Sequence, residues 1–103
     1  MKMQQPFGKA LRAAREEAGI SMRVLAGEVG VTIGYISHLE AGRTRPAVEM
    51  AGRLARACGA DADEFALLAG HVPEDVMEIM YAHPKGAVAM LRERFTGYRR
   101  KGE

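Results

Sequence analysis

Glycine punctuation constrains the fold of this chain more than any other feature. Gly19, Gly30, Gly42 and Gly70 each follow a run of apolar residues spaced three or four apart. A helix stopped at such short intervals has only two to three turns. No stretch combines two-residue alternation with β-branched enrichment, so no strand is expected. The expectation is an all-α fold of short helices, each dependent on packing against the others.

The first helix is expected from Pro6 to Ala18, with Phe7, Leu11, Ala14 and Ala18 on one face. Ser21 is a good N-cap for a second helix that runs to Val29 and buries Leu25, Ala26 and Val29. Gly30 suits the left-handed position that ends a helix. Thr32 caps a third helix, which presents Ile36 and Leu39 inward before Gly42. The fourth follows Pro46, with Val48, Ala51, Leu54, Ala55 and Cys58 as its inner stripe. The fifth opens at "DADE", where Asp61 caps and Glu64 can reach back, before Phe65 and Leu68 face the core.

Beyond Gly70 the pattern changes. Pro73 and Pro84 each suit the first position of a helix. A sixth helix is expected to bury Val76, Ile79 and Met80, and a seventh to carry Val88, Leu91, Phe95 and Tyr98. Two such helices form a hairpin too small to stand alone. It must pack on the first five helices, on a second copy or on another protein. Residues 7–70 are therefore read as one domain and 71–103 as a C-terminal helical extension with a basic tail.

The charges are unevenly spread along the 103 residues. Residues 1–58 carry nine Lys/Arg and five Asp/Glu, residues 59–83 six Asp/Glu and no Lys/Arg, and residues 84–103 six Lys/Arg and two Asp/Glu. A polyanion would meet the first segment and the tail, not the middle. No apolar run approaches the ~20 residues of a membrane span, and the start lacks the apolar core of a signal peptide. A single cysteine, Cys58, points to a cytosolic chain without an internal disulfide. His38, His71, His83 and Cys58 lack metal-site spacing, and no HExxH, phosphate loop or nucleophile elbow is present. The expectation is no metal, no cofactor and no enzymatic activity. Cys58 reads as an inert core thiol.

The second and third helices are short and joined by "VGVT". That is helix-turn-helix geometry, in which the second helix enters the major groove of DNA. The wider stretch, "LRAAREEAGISMRVLAGEVGVTIGYISHLEAGRTRPAVEMAGRLARACGADADEFALLAG", resembles the DNA-binding domain of the lambda-repressor and Cro-like family of the xenobiotic-response-element type. The matching signals are Leu11, Arg15, Gly19, Leu25-Ala26, Gly30-Val31, Ile36-Ser37, Leu39-Glu40, Gly42, Pro46, Leu54-Ala55 and Leu68. The resemblance covers about residues 7–70. It implies a five-helix lambda-repressor-like domain whose third helix reads DNA, followed here by the helical hairpin.

The resemblance also assigns roles. It implies a partly buried ion pair between Arg15 and Glu40, and it points Thr32, Ile33, Gly34, Ser37 and His38 into the groove. Ser37 and His38 can hydrogen-bond base edges, and Ile33 can lie against a thymine methyl. Gly34 lets the backbone approach closely. Phosphate contacts fall to Thr32, to the Tyr35 hydroxyl, to Arg43 and Arg45 in "GRTRP", and to Arg23 in the first turn of the second helix, whose free amides also suit a phosphate. Many family members have glutamine where this chain has Met22, which cannot make the same backbone contact. Arg53 and Arg56 read as a solvated face.

The expected function is a sequence-specific, double-stranded-DNA-binding transcriptional regulator in the cytoplasm, associated with the nucleoid. It is read as a repressor on a palindromic operator, acting as a homodimer through Val76, Ile79, Met80, Val88, Leu91 and Phe95. Two other readings stay open: an antitoxin that also regulates its own operon, and an adaptor that binds protein and not DNA. The tail "RERFTGYRRKG" is read as a solvated end in preference to a phosphate-binding arm.

Overall fold

The computed structural model describes residues 6–95. In that range the chain is all-helical: α1 (Pro6–Glu17), α2 (Met22–Val29), α3 (Ile33–Glu40), α4 (Val48–Cys58), α5 (Ala62–Leu68), α6 (Glu74–Ala82) and α7 (Pro84–Arg94). It divides into two units, one reaching to Val72 and the other starting at Pro73. Tyr98 and the tail from Thr96 onward lie outside the described residues.

The glycine punctuation becomes one repeated device. Gly19, Gly30, Gly42, Gly59 and Gly70 all have positive φ, between 70° and 94°. At each, the amide just past the glycine donates to a carbonyl five residues back. Ile20 reaches Arg15, Val31 reaches Ala26, Arg43 reaches His38, Ala60 reaches Ala55 and His71 reaches Ala66, at 2.8–3.2 Å. This closure satisfies carbonyls that a helix end would otherwise leave free, and it turns the chain sharply. Gly59, which the sequence reading passes over, belongs to the same set.

The starts are as local as the stops. Ser21 Oγ accepts the Val24 amide at 3.1 Å, Thr32 Oγ1 that of Tyr35 at 3.0 Å, and Asp61 Oδ1 that of Glu64 at 2.8 Å. Each cap is worth ~0.5–2 kcal/mol.

In the first unit, α1 packs on α3, α4 and α5, α2 packs on α3 and α4, and α4 packs on α5. Phe7, Leu11, Leu25, Ile36, Leu39, Leu54 and Phe65 are fully buried between them. The rings of Phe7 and Phe65 meet edge to face, 5.3 Å apart and at 77°, and tie the first helix to the fifth. Gly8 lets α1 and α3 touch. A Cβ there would stand 2.5 Å from the Leu39 carbonyl oxygen and 2.7 Å from that of Glu40. Ala14, within α1, is half-buried, and three further inner-face positions, all at helix ends, are more open than expected. Val48 begins α4 and is 50% exposed, Leu68 ends α5 and is half-buried, and Ala18 lies past the end of α1 and is exposed. Each sits at a helix end, where neighbours close only one side.

In the second unit, α6 packs on α7. The burial expected of α6 is not met within the chain, because neither helix contains a buried residue. Two short helices share a single contact line, which cannot enclose a side chain.

Candidate nucleic-acid interface

The turn between α2 and α3 is held from three sides. The Gly30 and Val31 amides both close onto Ala26. Val31 is half-buried against the core. From α4, Arg53 Nη2 donates to the Val29 carbonyl at 2.7 Å. Arg53 is therefore not simply part of a solvated face, since it supplies a donor to the last carbonyl of α2. A cation at that C-terminus also meets the negative end of the helix dipole.

Helix α3 is locked along its inner side. Ile36 and Leu39 are fully buried, and Glu40 pairs with Arg15. Arg15 Nε donates to Glu40 Oε2 at 2.6 Å and Nη2 to Oε1 at 3.1 Å, a bidentate fork. Its remaining nitrogen, Nη1, donates to the Ile20 carbonyl at 3.0 Å. The two side chains are only 11% and 5% exposed. Hydrogen bonding to Glu40 pushes the guanidinium pKa up, so Arg15 stays charged. This ion pair joins α1 to the end of α3 and fixes the angle at which α3 is presented.

The outer side of α3 is open. Thr32, Ile33, Gly34, Ser37 and His38 are all exposed, Ile33 by 38%. At about 100° per residue, Ile33, Gly34, Ser37 and His38 span an arc of ~140° on the side away from Leu39. Nothing inside the protein requires a glycine at position 34, since a Cβ there would meet only Thr32 Oγ1, at 3.8 Å. Tyr35 is half-buried against the core edge. Thr32 Oγ1 accepts its cap bond and keeps its own hydrogen to donate.

The surrounding cations divide into two kinds. Arg23, in the first turn of α2, and Arg43, just past α3, are exposed. Arg45 is exposed too, but its guanidinium lies against the chain near the end of α5. A Cβ on Gly70 would come within 2.7 Å of Arg45 Nη1. Close by, His71 Nε2 donates to the Pro46 carbonyl at 3.0 Å and staples the loop before α4 to the segment after α5. Met22 is half-buried and packs on the core, the use an apolar side chain allows there. Cys58 is buried, and desolvation pushes its thiol pKa up. Among the described residues no cluster of three or more His, Cys, Asp or Glu could hold a metal, and no helix is long and apolar enough to cross a membrane.

A rigid core helix, a tight glycine turn and a second helix with an open polar and apolar face define a helix-turn-helix protein. The pattern of the helix-turn-helix domain family matches residues 6–68, and the chain belongs to that family, in its Cro/C1-type group. The family is one of DNA-binding transcription regulators and not a class of enzymes. The chain is 35% identical, over 63 residues, to an uncharacterized HTH-type transcriptional regulator of Mycobacterium tuberculosis. That match covers 61% of this chain and 45% of the relative. It is 39% identical over 49 residues to the HTH-type transcriptional regulator DdrOP3 of Deinococcus deserti, covering 48% of this chain and 38% of that one. The chain thus spans less than half the length of these relatives. Among solved structures it is similar to the clp gene regulator ClgR of Corynebacterium glutamicum. The TM-score is 0.58 at 28% identity, over 86% of this chain and 92% of that one.

Proposed function

We propose that this chain binds double-stranded DNA sequence-specifically and acts as a transcriptional repressor, occupying a palindromic operator as a homodimer in the cytoplasm. The observation that carries the reading is the asymmetry of α3. Its inner side is fixed by Ile36, Leu39 and the Arg15–Glu40 pair, while Ile33, Gly34, Ser37 and His38 are left open to a groove. The regulator names of its relatives support the same class.

In this reading residues 7–70 bind DNA. Ser37 and His38 hydrogen-bond base edges, Ile33 lies on a thymine methyl, and Gly34 admits the groove wall. Arg23, Thr32, Tyr35 and Arg43 take phosphates. Arg45 joins them only by swinging away from Gly70, so Arg43 carries more of that work. Residues 71–103 dimerise through Val76, Ile79, Met80, Val88, Leu91 and Phe95, all but Met80 being exposed in the single chain. Repression follows from occlusion of a promoter by the bound dimer.

Selection of bound sequences from random duplex DNA tests this. The expected result is an inverted repeat with half-sites ~34–36 Å apart and a thymine facing Ile33 in each half. Enrichment of no motif, with binding equal to that of random DNA, would contradict sequence-specific recognition.

A further inference from the structure

Two arginines reach across the first unit toward the two ends of α3. Arg15, from α1, forks onto Glu40 at the last turn. Arg53, from α4, donates through Nη2 to the Val29 carbonyl at 2.7 Å, just before the turn that leads into Ile33. That carbonyl ends α2 and has no acceptor role within the helix. The guanidinium also lies beside the glycine of the turn, since a Cβ on Gly30 would stand 3.8 Å from Arg53 Nη2. The next arginine on this face, Arg56, folds along its own helix instead. A Cβ on Gly52 would stand 3.4 Å from Arg56 Nη1. Both arginines, with Glu28, Val29 and Ala57, line an open groove of about 390 Å³. Among the described residues no ion pair engages Arg53, so the carbonyl is what holds it.

We propose that Arg53 is a positioning residue for sequence recognition, an inference that rests on the reading of α3 as the helix that meets DNA bases. Helix α3 packs on α1 and α2. Its C-terminal end is fixed directly, through Glu40. Its N-terminal end, with Ile33 and Gly34, follows Gly30, Val31 and Thr32, so the end of α2 sets where it begins. Arg53 pins that end of α2 to α4, and α4 packs in turn on α1. The bond thus closes a frame of four helices around the turn. Hydrogen bonds to base edges weaken steeply with misalignment, whereas charge attraction to phosphates falls slowly with distance. Loosening the turn therefore costs binding to the operator more than binding to other duplexes.

The test is the ratio of affinities of the full chain for the selected operator and for a scrambled duplex. It is measured for wild type, Arg53→Met, Arg53→Lys and, as a control for lost charge, Arg56→Met. Arg53→Met keeps the apolar stem and removes the donor, and should lower the ratio about fivefold. Arg53→Lys keeps a donor and should restore most of the loss, while Arg56→Met should leave the ratio unchanged. A contact that only stabilises the fold cannot mimic this pattern, because a smaller folded fraction weakens binding to both duplexes alike. If Arg53→Met fails to fold, Arg53→Gln, whose amide ends short of the turn, replaces it. An unchanged ratio in the variant without the donor overturns the positioning role. An equal loss on both duplexes with a lower salt slope also overturns it, and makes Arg53 a phosphate contact. A wild type with a ratio of one overturns the base-reading assignment of α3 as well.

Discussion

A methyl group on Gly34 would meet nothing closer than Thr32 Oγ1 at 3.8 Å, whereas one on Gly8 would drive into the Leu39 and Glu40 carbonyls. The same substitution therefore has opposite expected effects at two sites on one small domain. Gly34→Ala should stabilise the free protein by up to ~1 kcal/mol, through the unfolded chain, while weakening operator binding. Gly8→Ala should destabilise it by ~1–3 kcal/mol, because backbone cannot step aside as a flexible side chain can. Urea unfolding of both variants, with a DNA titration of the first, checks the pair. Equal stability losses would remove the argument that position 34 is kept bare for something outside the protein. Glu40→Ala strands the Arg15 guanidinium, whose pair is 11% and 5% exposed, and should cost ~3–5 kcal/mol. Unchanged unfolding would mean that the fork contributes little to holding α3.

At the scale of helices, the interface is a matter of how α3 is held and what surrounds it. Arg43 stands at the end of α3 and reads no base in this account. Arg43→Ala should weaken binding to all duplexes alike and lower the slope of log affinity against log salt by about one. A loss confined to one operator sequence would place Arg43 in base readout. Much of this level can be read from the chain because helix ends are local events. Ser21, Thr32 and Asp61 each bond an amide three residues on, and each stop glycine closes a loop five residues long. The buried face follows from spacing for the same reason, as Leu25, Ile36, Leu39 and Leu54 show. What escapes is non-local. Arg53 finds the Val29 carbonyl 24 residues away, His71 finds that of Pro46 25 residues away, and Gly8 sits under the end of α3. No spacing rule links such positions. Arg15 and Glu40 are equally distant, and only likeness to a known family pairs them in advance. The outward residues of α3 can be read as a face, but the bases they meet depend on a partner molecule that the chain does not encode.

For the whole molecule, one recognition helix covers only a few base pairs, and affinity for a unique site requires two such helices in fixed register. In the proposed dimer the second comes through a hairpin neither of whose helices contains a fully buried residue. Specific recognition in that dimer depends on the outer face of α3 distinguishing sequences. The most direct test is the ratio of affinities for the selected operator and for a scrambled duplex, measured at one salt concentration for wild type and for Ser37→Ala combined with His38→Ala. Each lost base contact is worth ~1–3 kcal/mol, so the ratio should fall by about tenfold or more while binding to the scrambled duplex persists. A double variant that discriminated as well as wild type would contradict the account.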